Sequence, residues 1–196
     1  MTLLALLRHG PTQWNAEKRI QGHADVPLSA AGRAAVTGWR LPAGLDRYRW
    51  VSSPLGRAAE TAALLLGRPV AVEDRLREMA WGAWEGRSLA DLRAEGGAAM
   101  AANEALGLDF RPPGGESPCD VQWRLRSWLV EIAAQGTPVG AVTHRGVIRA
   151  VYALAAGWDM TGRPLHRLDG DCLHLFRLDA DGVPRIECLN QPLNPT

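Results

Sequence analysis

The sequence has almost no charge of one sign to spare. Its 22 Lys and Arg against 21 Asp and Glu leave a formal net charge of +1. Nucleic-acid binders usually show a basic excess or basic runs, so no nucleic-acid partner is expected. No apolar stretch is long enough to cross a bilayer. The apolar opening Met1-Thr2-Leu3-Leu4-Ala5-Leu6-Leu7 has no basic stretch before it, and Arg8-His9-Gly10 comes at once instead of a small-residue cleavage site. It therefore reads as a buried first strand rather than a signal peptide, and no membrane partner is expected. Cysteine is scarce: Cys119, Cys172 and Cys188 are an odd number without metal-ligand spacing. They are expected as reduced thiols of a cytoplasmic protein, behaving as small core residues. No His/Cys/Asp cluster has metal spacing, so neither metal nor cofactor is expected. Repeats, linkers and low-complexity tracts are absent too. With 196 residues, 46% hydrophobic and 22% charged, the chain is expected to form one globular domain over 1–196 with a sizeable core.

What is present alternates between strand and helix. Residues 3–7 form a continuous apolar run, as in a strand buried on both faces. Ser29 is a helix N-cap, and that helix ends before Pro42. Residues 48–52 read as a second strand, with Pro54 in the first turn of a helix that runs to Leu66 and stops at Gly67. Residues 70–72 are a third strand. Ser88-Leu89-Ala90-Asp91 resembles a capping box. Residues 111–115 are loop, after which Ser117 caps a long helix with Val121, Leu125, Trp128, Leu129 and Ile132 on one face. A strand over 138–143, a helix over 147–156 and two strands over 171–178 and 184–189, joined by a turn at Asp181-Gly182, complete the order. The pattern predicts an α/β fold with a mostly parallel central sheet and helices on both faces. Most of the 8 tryptophans are expected in the core or a pocket wall.

Open α/β sheets bind ligands beyond the carboxyl ends of their strands. Arg8-His9-Gly10 comes after the first strand. Ser53-Pro54, and Arg57 one helical turn on, come after the second. Glu78 and Met79-Ala80-Trp81-Gly82 come after the third, and His144-Arg145 after the strand ending at Thr143. Two imidazoles, several guanidinium groups and one carboxylate are thus expected along one edge. A neutral imidazole, His9, is able to accept a phosphoryl group. Phosphoryl transfer asks for in-line positioning and positive charge around the equatorial oxygens, which Arg8 and Arg57 supply through forked hydrogen bonds. His144 adds a further donor. Glu78, beside Met79, Trp81 and Trp84, suits the acid that protonates the leaving oxygen. The helix start after His144 aims free N–H groups at an anion. Arginine neighbours keep His9 neutral, as attack requires.

The stretches Leu7-Arg8-His9-Gly10, Trp14-Asn15, Gln21-Gly22, Pro27-Leu28-Ser29, Ser52-Ser53-Pro54-Leu55-Gly56-Arg57-Ala58-Ala59-Glu60-Thr61-Ala62, Leu76-Arg77-Glu78, Trp81-Gly82-Ala83-Trp84-Glu85-Gly86 and Thr143-His144 resemble the histidine phosphatase (phosphoglycerate mutase-like) superfamily. The likeness spans nearly the whole chain in the family's order. It implies a three-layer sandwich and a metal-independent phosphoric monoester hydrolase of the histidine acid-type, acting on small phosphorylated metabolites. It also implies His9 as nucleophile, Arg8, Arg57 and His144 as phosphate pocket, Glu78 as proton donor, and Asn15 as a contact to the phosphoryl group. Gln21 and Gly22 are expected beside the substrate, with His23 at the entrance.

Two positions depart from the family pattern: Pro11 comes directly after the first triplet, and Arg145 comes after His144 where Gly is frequent. Arg145 adds a cation at the pocket rim that favours a substrate with a second acidic group. Mutases of this family carry a long basic insertion after the Glu motif. Here 84–111 is short and Ala/Gly-rich, which points to the compact phosphatase branch. The alternatives are a phosphoglycerate mutase and a non-catalytic binding module on the same fold. Survival of His9, Arg57, Glu78 and His144 together argues against the module. The missing Gly-x-Gly-x-x-Gly after the first strand argues against a dinucleotide binder. Glu116 is expected either at the pocket or simply before the Ser117 cap; His166 and His174 are given no functional partner.

Overall fold

A computed structural model describes residues 1–193. Six strands form one sheet: β1 (Thr2–Arg8), β2 (Arg49–Ser52), β3 (Ala71–Val72), β4 (Val139–Thr143), β5 (Cys172–Leu178) and β6 (Pro184–Pro192), in the spatial order β3-β2-β4-β1-β5-β6. The first four in that order are parallel neighbours. β5 runs antiparallel to both β1 and β6, so only β5 opposes the rest. The helices are α1 (Gln13–Ala16), α2 (Ala30–Gly38), α3 (Gly56–Leu66), α4 (Leu89–Glu104), α5 (Pro118–Gln135) and α6 (Arg145–Ala156).

The apolar run of β1 is explained by its two faces. Leu4 and Leu6 pack with α5 and α6 residues such as Leu125, Leu129, Val147 and Val151. Ala5 and Leu7 point the other way, into a cluster with Ala58 and Ala62 of α3 and Trp50 of β2. This gives three layers, and both halves are sealed: all four β1 side chains are fully buried. The five-residue apolar stripe of α5 is likewise buried.

The caps match the sequence closely. Ser29 accepts from Gly32 N–H, Ser88 from Asp91 N–H, and Ser117 with Asp120 forms a reciprocal capping box. Some expectations are corrected. Pro54 lies outside α3, which begins at Gly56 with Leu55 as N-cap; the exposed N–H of Gly56 is taken by the Asp25 carboxylate at 2.8 Å, a partner from another segment. α4 breaks at Gly97, whose backbone is not helical. α6 starts at Arg145, two residues early, because His144 itself is the N-cap. The cysteines are free but not core residues: Cys119 and Cys188 are exposed and Cys172 is half-buried. Of the tryptophans only Trp50 and Trp128 are buried, and Trp123 on α5 is 78% exposed. No helix among the described residues is long and apolar enough to cross a membrane.

Candidate active site

Parallel pairing of β1 with β4 puts Arg8 opposite Thr143. One residue further along each strand come His9 and His144, whose ring centroids are 5.2 Å apart and tilted by 55°. That separation is close to the ~4.8 Å spacing of neighbouring strands. The two rings therefore meet because the sheet holds them there. His9 N–H still bonds Thr143 O at 2.9 Å, extending the ladder up to the nucleophile candidate.

His9 Nδ1 lies 2.7 Å from Gly10 O. A carbonyl only accepts, so the proton sits on Nδ1 and the lone pair on Nε2. Burial, then the charges of Arg8 and Arg57, push the His9 imidazole well below its usual range, which keeps it neutral. His144 is fully buried and its Nε2 is 2.7 Å from Ser53 Oγ. Ser53 Oγ also accepts from Leu55 N–H at 3.3 Å, and its hydroxyl proton is able to go to His144 Nε2. With Ser53 donating, the His144 proton sits on Nδ1, the ring nitrogen that has no protein partner. Burial, then His9 and Arg57, lower the His144 imidazole as well.

Arg57 is buried in full, and its fork is held by two carbonyls, donating to Ala24 O and Gly22 O at 2.8 Å each. Glu85 braces that segment: its carboxylate accepts from His23 N–H at 2.8 Å, Ala24 N–H at 2.9 Å and Trp81 N–H at 3.1 Å. Gly22 has φ +50, and a Cβ there would run into the Glu85 side chain, so only glycine suits the position. Gly22 thus acts on Arg57 through its carbonyl. Burial lowers the Arg8 and Arg57 guanidinium groups from their ordinary range, with Glu78 the main opposing charge.

Glu78 Oε1 accepts from Met79 N–H at 2.9 Å and Gly146 N–H at 3.0 Å. Its loop is tied down by Arg124, which donates to Arg77 O at 2.6 Å and Glu78 O at 3.2 Å, also bonds Arg75 O, and pairs with Glu116 at 2.9 Å. Glu116 in turn accepts from Ala80 N–H at 2.9 Å, so it serves the Glu78 loop. His23 Nε2–H donates to Glu78 O at 2.8 Å. Asn15 Oδ1 accepts from Thr12 N–H at 2.9 Å, and the Thr12 hydroxyl lies 3.1 Å from the amide oxygens of both Asn15 and Gln21. Gly10 N–H bonds Thr61 Oγ1 at 2.9 Å, fixing the loop after His9 to α3. Arg145 is exposed and lines a neighbouring cleft.

Four buried side-chain polar atoms among the described residues have no protein partner: Arg8 Nε, Arg57 Nε, His144 Nδ1 and Ser52 Oγ. Three are N–H donors belonging to the groups around His9. An unsatisfied buried donor costs about 1–3 kcal/mol, which an oxyanion would relieve. Among the described residues no group of three or more His, Cys, Asp or Glu side chains is placed to hold a metal. Ser53, Thr12, Thr61, Glu85 and Arg124 were not singled out as site residues from the sequence. Ser53 and Thr61 at least fall inside the quoted stretch 52–62 and Glu85 inside the quoted stretch 81–86, whereas Arg124 bears no local signal.

A neutral imidazole ringed by guanidinium groups at the carboxyl edge of a parallel sheet is an arrangement suited to an oxyanion beside a candidate nucleophile. A family model described as the histidine phosphatase superfamily (branch 1) matches residues 4–192, and the chain belongs to that superfamily. Similar proteins include the glucosyl-3-phosphoglycerate phosphatase of Mycolicibacterium vanbaalenii, 37% identical over 177 residues that cover 83% of this chain and 77% of that one. The probable phosphoglycerate mutase GpmB of Salmonella paratyphi C is 38% identical over 153 residues, covering 74% and 70%. Among solved structures, Bacillus stearothermophilus YhfR superposes with a TM-score of 0.81 at 31% identity, covering 99% of this chain and 98% of that one.

Proposed function

We propose that this chain is a phosphomonoesterase for small phosphorylated metabolites, working as one domain through a phosphohistidine on His9. The observation that carries it is the trio of partnerless donors, Arg8 Nε, Arg57 Nε and His144 Nδ1, around a histidine whose free lone pair is on Nε2. The phosphoryl group binds among those donors, with Asn15 beside it. His9 Nε2 attacks phosphorus in line, and the bond from phosphorus to the ester oxygen breaks. Its electron pair stays on the leaving oxygen, which takes a proton from Glu78. Water then attacks the phosphohistidine, gives a proton back to Glu78, and phosphate leaves with His9 restored. Guanidinium groups supply the positive charge, so the reaction is metal-independent and EDTA leaves the rate unchanged; a strict divalent-ion requirement would refute this.

Hydrolysis is favoured over mutase chemistry by the segment 84–111. Its cations are occupied: Arg87 pairs with Glu95, Arg93 with Glu104 at 2.7 Å, and Arg111 with Asp120 at 2.5 Å. They offer little to retain a monophosphate while it turns over. The test is rapid quench with a 32P-labelled aryl phosphate. Acid-labile, alkali-stable label is expected on His9, and His9→Ala should lose both label and turnover. Label elsewhere, or near wild-type turnover in folded His9→Ala, overturns the reading. Isomerisation of 3-phosphoglycerate faster than its hydrolysis overturns the preference for a phosphatase.

A further inference from the structure

Arg8 faces two places. Beside His9 it belongs to the phosphoryl site, and it also lines a cleft of about 520 Å³. Gly170 in the cleft wall is so near that a Cβ there would sit 3.2 Å from Arg8 Nη1. The cleft is walled by the first turns of α6 and by the irregular segment 158–170, with His174 of β5 behind. Five of its side chains are arginines: Arg8, Arg145, Arg149, Arg163 and Arg167. Its one acid, Asp169, is already paired with Arg167 at 2.9 Å.

Arg8, Arg145, Arg149 and Arg163 form no ion pair among the described residues, although most arginines on α4, α5 and the Glu78 loop do. Arg149 is held instead by stacking, 4.9 Å over the Trp158 ring. That fixes a guanidinium without neutralising it and leaves its edge donors available. Like charge is concentrated: after burial, Arg145 is a charge that lowers the Arg149 guanidinium, and it also acts on Arg8. Cations gathered in a walled recess focus the field and draw anions to it. Trp158 and Ile148 add an apolar wall between them.

We infer that this cleft receives a second anionic group of the substrate, a carboxylate or a further phosphate, held by Arg145, Arg149 and Arg163. The inference rests on the phosphoryl site proposed above, and it narrows the substrate class to phosphomonoesters that carry another acidic group. Arg8 then touches both ends, tying the charge that selects to the charge that reacts.

The test separates this from catalysis by measuring binding. Alkylphosphonates, ω-phosphonoalkanoates of two to four methylenes and alkane bisphosphonates of the same lengths are titrated calorimetrically into the intact protein. At one length at least, a second anion should tighten binding about tenfold or more, worth about 1.4 kcal/mol. The carboxylate and bisphosphonate arms tell which oxyanion fits. In the double variant Arg145→Glu/Arg163→Glu, two exposed positions whose exchange does not disturb packing, the ratio between singly and doubly acidic ligands should fall towards one. Equal binding of all series by the wild type, or a ratio untouched in a folded double variant, overturns the inference. Absence of hydrolysis, with the binding ratio intact, would fault the catalytic proposal alone.

Discussion

The carboxylate of Glu78 accepts the backbone N–H of Gly146 at 3.0 Å, so the candidate acid hangs from the first turn of the helix that His144 caps. A Cβ at residue 146 would run into Glu78 Oε1. Gly146→Ala should therefore displace the carboxylate while leaving His9 and its donors in place. We expect kcat/KM on alkyl phosphates to drop about tenfold to a hundredfold, within the usual contribution of a general acid. Aryl phosphates, whose leaving groups need little protonation, should lose far less. Equal losses on both substrates would argue that Glu78 is not the acid.

Acid should destabilise the protein through its buried rings. His9 and His144 are both held well below the usual imidazole range, while in the unfolded chain they titrate near ~6.5. Below that pH the unfolded chain binds protons that the folded chain refuses. Stability is thus fully present above about pH 6.5 and is lost as pH falls towards the depressed folded values. The slope is up to about 1.4 kcal/mol per pH unit for each ring. Urea midpoints between pH 7.5 and 5.5 measure it, and His144→Asn should make the slope shallower. An unchanged slope in that variant would mean His144 is not a buried neutral ring.

Glu85 bears on the candidate site at one remove. It holds two backbone N–H groups, His23 and Ala24, of the segment whose carbonyls grip Arg57, and ties that segment to Trp81 N–H. In Glu85→Ala, Arg57 should slacken, raising KM for phosphate esters about tenfold with a smaller change in kcat. Glu85→Gln, which keeps one acceptor oxygen, should lie between. A KM that stays put in both variants would reduce Glu85 to a loop staple without influence on the anion.

Arg124→Ala should cost stability. Its guanidinium bonds the carbonyls of Arg75, Arg77 and Glu78 and pairs with Glu116, and both side chains of the pair are largely shielded. Stranding these acceptors should cost about 1–3 kcal/mol, read from chemical denaturation. Arg124→Lys should not restore the loss, because a single ammonium cannot fork across several acceptors. Full recovery with Lys would show that charge alone matters.

Local pattern made the skeleton readable. β1 and β4 announce themselves as apolar runs, and the residues just past the strand ends lead directly to His9, His144 and Arg57. Ser29, Ser88 and Ser117 cap as their spacing says. The bracing is another matter. Glu85 meets His23 across 62 residues and Arg124 meets Glu78 across 46; no periodicity encodes a side chain that binds distant backbone. The Pro54 offset has the same origin, since the partner of Gly56 is Asp25. Arg145 was legible as an odd cation after His144, but its company with Arg149 and Arg163 depends on how an irregular segment folds back against α6. The cysteines misled because residue type alone does not say which side of a helix or strand edge they occupy.

The pairing of Arg8 with Thr143 carries one more implication. Since the gap between His9 and His144 is the spacing of two central strands rather than the setting of a loop, it cannot drift by degrees as the molecule warms. It persists until the sheet itself comes apart. Heat inactivation should then coincide with cooperative melting, without a preceding phase in which a folded protein has already gone silent.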